Sequence, residues 1–154
     1  MQIGELTNMK RLISSILLIF LSSSIYAADR EVAIVSSASP AAEWVHFSGP
    51  SPAAEWIHFS GPSPAAKYVF ITDDCEKSSI ELLNSSPSYA DWVFISGPSP
   101  AADWIFLSGP SPAADWYYIT DKESMAEITL CIPEKEMRTK QNVAILLHLF
   151  KKGK

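Results

Sequence analysis

Short bursts of alternating residues run along most of this chain. WVHFS (44–48), WIHFS (56–60), YVFIT (68–72), WVFIS (92–96), WIFLS (104–108) and WYYIT (116–120) are rich in aromatic and β-branched residues, which suit a pleated surface. Gly and Pro bound them, and they are too short for ordinary helices. Strand side chains alternate between faces. One face carries Trp or Tyr, then His, Phe or Tyr, then Ser or Thr. The other is apolar throughout, as at Ile105 and Leu107, and is the expected core. The aromatic face is either a second packed layer or a platform.

The intervening SGPSPAA is a strand breaker. Gly tolerates positive φ, and each Pro fixes φ and removes a backbone donor. Ser-Pro-Ala-Ala-Glu/Asp predicts a single helical turn with Ser as its cap and Pro first.

Aligned on the aromatic residue, the bursts keep a 12-residue step: Val32, Trp44, Trp56, Tyr68, Ile80, Trp92, Trp104, Trp116 and Ile128. A longer unit lies above it. Residues 37–84 and 85–132 each hold three aromatic copies followed by one charged, aliphatic copy, SIELLN or EITLCI. Such internal periodicity is the first thing that decides an architecture. A loop of about seven residues joins antiparallel neighbours easily, whereas a parallel crossover usually needs a dozen or more. The expectation is therefore an all-β fold, an antiparallel meander closed into a barrel or folded into a sandwich. Propeller-like blades and a β-solenoid are the alternatives. The β-repeat domain spans 28–132. In 133–154, PEKEMRTKQ breaks the pattern, and NVAILLHLF supplies a last strand or short helix before a basic, solvated tail.

SPAAKYVFITDDCEKSSIELLN (63–84) and SPAADWYYITDKESMAEITLCI (111–132) resemble hairpins of β-propeller blades of the WD-repeat type, with Ala-Ala where those blades carry Asp-Gly. The resemblance implies a scaffold and no activity.

The first residues change the picture of where this domain works. MKRLISSILLIFLSSSIYAAD has a charged start, an apolar run from Leu12 to Leu21, and small residues up to Ala28. That is the layout of a secretory signal peptide, spanning 1–27, with Met9 as the natural start. It predicts export to the periplasm or exterior of a bacterium, with no stable membrane span after cleavage. Export permits disulfides, and Cys75 and Cys131 can form one bridge.

Charge is uneven. Residues 28–132 hold 14 Asp and Glu against 4 Lys and Arg. So acidic a body excludes a nucleic-acid surface, which needs clustered cations.

The candidate chemistry is sparse. His46 and His58 share a slot in successive copies, but Phe70, Phe94, Phe106 and Tyr118 fill it elsewhere, so the slot asks for a flat ring rather than a metal ligand. Glu43, Glu55, Asp91, Asp103 and Asp115 each precede a Trp. A catalytic pair is needed only once, so this repetition points to a structural task, such as accepting a turn N–H. No Gly-x-Ser-x-Gly, His-Glu-x-x-His or phosphate-cradling loop occurs. Neither catalysis, a metal nor a cofactor is expected.

What remains is the row Trp44, Trp56, Tyr68, Trp92, Trp104 and Trp116. Its rings are either core or stacking platforms for a glycan or protein partner, gaining strength by multivalency. The expected role is non-enzymatic binding or structure. Self-assembly of a β-rich structural protein, and a hydrolase acting on cell-envelope material through the irregular stretches 73–77 and 121–127, are the alternatives.

Overall fold

The computed structural model describes residues 28–153. The expected signal segment, 1–27, lies outside the described residues, as does Lys154. The strands are β1 (Arg30–Val35), β2 (Glu43–Phe47), β3 (Glu55–Phe59), β4 (Lys67–Thr72), β5 (Ile80–Leu82), β6 (Asp91–Ile95), β7 (Asp103–Leu107), β8 (Asp115–Thr120) and β9 (Ile128–Cys131). One helix, α1, spans Lys140–Lys152.

The strands close into a barrel in the order β1-β5-β9-β4-β8-β3-β7-β2-β6. Every neighbouring pair is parallel. This corrects the expected antiparallel meander, and no two consecutive strands pair. The chain steps over one neighbour each time and completes the barrel in two laps. The hairpins of the propeller resemblance do not form either, because β9 lies between β4 and β5 and β4 lies between β8 and β9.

The usual length rule for parallel crossovers fails here because the strands are so short. Five residues rise about 13 Å, and a step across two strands is about 10 Å. The eight steps from Phe47 to Glu55 can span roughly 27 Å, so seven linking residues suffice without a helix.

Register explains how the barrel closes. Trp44 lies opposite Phe94, and His46 opposite Trp104. Neighbouring copies are thus slid by two residues, and an even slide keeps like faces together. At two boundaries the slide is one residue: Ala33 faces Trp92 and Val69 faces Ile128. A one-residue slide swaps faces. Val32, Ile80 and Ile128, which share the Trp register in sequence, therefore turn inward and are buried.

A slide of about 6.6 Å at a strand spacing of about 4.8 Å puts equivalent residues about 8 Å apart, and a one-residue slide about 6 Å, so seven steps of the first kind and two of the second enclose a radius of roughly 11 Å. A helix with its side chains needs a radius of about 5–6 Å. The remainder takes one layer of Val45, Ile57, Val69, Val93, Ile105 and Leu130, all buried.

α1 fills the centre. Val143, Ala144, Ile145, Leu146 and Leu147 are consecutive and each no more than 3% exposed. At about 100° per residue they cover the whole circumference, so the helix is enclosed on every side. NVAILLHLF is thus a helix, and not a tenth strand. Thr139 caps it, its hydroxyl accepting from the Asn142 N–H at 3.2 Å. Its N-terminus meets the strand exits and its C-terminus the strand entrances, so it runs against the strands.

Each Ser-Pro-Ala-Ala is a single turn. Ala54 N–H donates to the Ser51 carbonyl at 3.1 Å, and Ala53 N–H to the Ser51 hydroxyl at 3.1 Å. No described Gly has positive φ, and a Cβ at Gly49, Gly61, Gly97 or Gly109 would meet nothing within 4 Å. The expected conformational need for glycine is absent, and nothing in the structure explains those residues. Cys75, in a 3-10 turn over 75–77, is bonded to Cys131 on β9.

Candidate functional site

The outward slots of the six aromatic strands form a belt. Around the barrel the rings run Trp92, Trp44, Trp104, Trp56, Trp116, Tyr68, on β6, β2, β7, β3, β8 and β4. Residues 48 or 60 apart in sequence thus become neighbours, and every ring is half-buried. The slide of two sets each against the second ring slot next door. Trp44–Phe94, His46–Trp104, Trp56–Phe106, His58–Trp116 and Tyr68–Tyr118 meet edge to face, with centroids 4.9–5.5 Å apart, the geometry the ring quadrupole favours. His46 and His58 are separated by β7. Their Nδ1 atoms lie 3.1 Å from the Ser96 and Ser108 carbonyls, and each ring packs as an aromatic.

Each indole also closes its own turn. Nε1 of Trp44, Trp56, Trp104 and Trp116 donates to the carbonyl of Ser39, Ser51, Ser99 and Ser111, and that of Trp92 to Pro87, at 2.9–3.2 Å. The same carbonyls accept the turn's own N–H. Trp therefore fastens the crossover to the strand it opens and leaves one side of its ring beside solvent.

Grooves run between adjacent turns where these rings surface. One of about 550 Å³ lies beside Trp44, with Pro40, Glu43, Ala101, Asp103 and Lys152. Another of about 520 Å³ lies beside Trp116, with Pro110, Pro112 and Ala65. A third, of about 350 Å³, lies beside Tyr68, with Pro64 and Glu127.

The acids before each Trp point inward at the strand-entrance rim, where α1 ends. All five are paired. Lys152 donates to Glu43 at 2.6 Å and Asp103 at 2.7 Å, and Lys151 to Asp115 at 2.7 Å and Glu55 at 3.3 Å. Arg30 donates to Asp91 at 2.5 Å and to the Leu149 carbonyl at 3.1 Å. His148 reaches Glu55 through Nδ1 at 2.5 Å and Asp103 through Nε2 at 3.1 Å. The basic end is therefore no solvated tail: it neutralises an acidic ring and suits the negative end of the helix dipole. The acids accept from these cations rather than from turn N–H groups.

Glu43, Asp103 and His148 bring donor atoms within 4.8 Å of one another, but the Lys152 ammonium already bridges the two carboxylates. Cys75 and Cys131 approach Glu81, with both sulfurs engaged in the disulfide.

Glu55, Asp103 and His148 shift one another's titration. The His148 hydrogen bond holds Glu55 below the usual carboxylate range, outweighing its burial. Burial would raise Asp103, but bonds from Lys152 and His148 bring it down to about 2. Burial would lower His148, but Glu55 and Asp103 outweigh it and its pKa rises above 6.5. A depressed acid stabilises above its unfolded pKa and loses that contribution as pH falls through the folded one. A raised His stabilises below about pH 6.5 and loses its contribution as pH climbs through its folded value. Stability is expected to peak between about pH 4 and 6.5 and to fall on either side. Urea midpoints from pH 2 to 9 measure this, and His148→Gln is expected to flatten the alkaline side and to lessen the acid side, because Glu55 and Asp103 lose the imidazolium that helps hold them down.

The sequence pattern showed the ring slots and the repeated acids. It did not reveal His148, Lys151 and Lys152 as their partners, because those residues arrive through the lumen. Their only signal was a basic end beside an acidic body. No protein-family model, curated protein or solved structure matches the chain.

Proposed function

We propose that this is an exported, non-enzymatic binding protein whose aromatic belt receives a repetitive ligand, with glycan chains the best chemical fit. The observation that carries this reading is the set of grooves beside Trp44, Trp116 and Tyr68. Each sets an aromatic ring and a proline ring side by side in an open groove. The grooves at Trp44 and Tyr68 also hold carboxylates that can accept sugar hydroxyls. Several similar weak sites suit a polymer, because bound units raise the effective concentration of the next.

Two features favour binding over the other roles. A closed barrel has no free strand edge for stacking assembly. Hydrolysis of a glycoside needs one protonated carboxyl beside an ionised one, and Asp103, held at about pKa 2, is a poor acid at neutral pH.

The test is a titration with soluble hexasaccharides, read by tryptophan emission. Binding is expected to shift the emission. Trp44→Ala combined with Trp116→Ala is expected to weaken binding roughly tenfold, with the far-ultraviolet circular dichroism unchanged. Unaltered affinity in a folded double variant would remove the belt from the proposal.

A further inference from the structure

The two rims of this barrel differ in kind. At the strand entrances, Arg30, His148, Lys151 and Lys152 meet five carboxylates. At the strand exits the last inward slot is apolar, as at Phe59, Ile71 and Ile119. These three line a groove of about 340 Å³ with Val143, Arg138 and Lys140.

Two observations there bear on a ligand. Ile119 occupies an inward-facing position and is still 38% exposed, so the apolar layer is left open at this point. Arg138 and Lys140 also form no ion pair among the described residues. Arg138 is oriented by its Nε, which donates to the Ile132 carbonyl at 2.8 Å, leaving the outer nitrogens of its planar fork for a second acceptor. Lys140 opens α1, where the helix dipole adds to the attraction for an anion.

We infer that this groove is a second binding site, for a single-chain amphiphile with a carboxylate head. The aliphatic wall takes the chain, and the Arg138 and Lys140 cations take the head. At roughly 30 Å³ per water-sized group, the groove holds about eleven such groups, so a medium-length fatty acid fits and a two-chain lipid does not. A sugar is a poor match, because no carboxylate or amide lines the groove to accept its hydroxyls.

Isoleucine-methyl NMR with dodecanoate below its micelle concentration tests the site. Dodecanol and dodecyltrimethylammonium serve as neutral and cationic controls. Dodecanoate is expected to shift the Ile71 and Ile119 methyls and to bind about tenfold tighter than the alcohol. The ammonium is expected to bind most weakly. Lys140→Glu, at an exposed position without a described partner, is expected to weaken dodecanoate by about tenfold and leave dodecanol unchanged. Equal binding of acid and alcohol would overturn the inference. So would shifts confined to the tryptophan belt, or binding to anionic vesicles but not to monomeric dodecanoate.

Discussion

A chain ending at Arg138 does not fold cooperatively. α1 places Val143, Ile145, Leu146, Leu147 and Leu149 at 3% exposure or less. Burying such side chains contributes about 1.5–3 kcal/mol each, on the order of 10 kcal/mol together. That rivals the whole stability of an ordinary domain, about 5–15 kcal/mol. The loss compounds itself. Without α1, Val45, Ile57, Val69, Val93 and Ile105 line a hole too wide for them to fill, and the acidic ring at Glu43, Glu55, Asp103 and Asp115 loses its cations. Near-ultraviolet circular dichroism and a thermal scan check this, with a broad, featureless melt expected. Leu146→Ala grades the effect, at about 2–5 kcal/mol. A truncated chain that melts sharply would mean the strands close without their centre.

Reducing the Cys75–Cys131 bridge carries the next largest effect. The cysteines lie 56 residues apart, and closing a loop of that length restricts the unfolded chain by about 4 kcal/mol. For a domain of this size that corresponds to a melting temperature lower by roughly 15 °C. The bridge ties the crossover after β4 to β9, where the aromatic strands give way to the three aliphatic ones and the register slips by one residue. Thermal scans with and without a phosphine reductant measure it, and a shift of only a few degrees would show that the reduced chain is already constrained.

The strand positions and their buried face were legible because both are local. Alternation in WVHFS or WIFLS names Val45 and Ile105 as core, and they are buried. Strand direction was not legible. The rule that short loops make antiparallel neighbours assumes strands of ordinary length, and these are short enough for seven residues to cross back. The last element was left open between strand and helix for a related reason. NVAILLHLF is apolar without a period, and such a run fits a buried strand or a helix enclosed on all sides equally well.

The belt was half legible. Rings in fixed slots predicted an aromatic face on each strand. Which ring meets which depends on a slide of two residues between strands 48 or 60 apart in sequence. The acids show the same division. Their repetition argued against catalysis, but the partners of four of them sit on a helix 36 to 109 residues later, and that of Asp91 is Arg30 on β1.

By itself, then, the sequence determined where the aromatic strands begin and end, which of their side chains face the interior, and that each carries an outward aromatic row entered by an acid or a lysine. Neighbouring residues carry that information, since alternation, proline and turn chemistry act over a few positions. Only the tertiary structure decided the parallel two-lap order, the inward turn of Val32, Ile80 and Ile128, and the pairing of the acidic rim with α1. Those depend on closure. Nine staggered strands must meet in one ring, and the width that ring takes requires something at its centre.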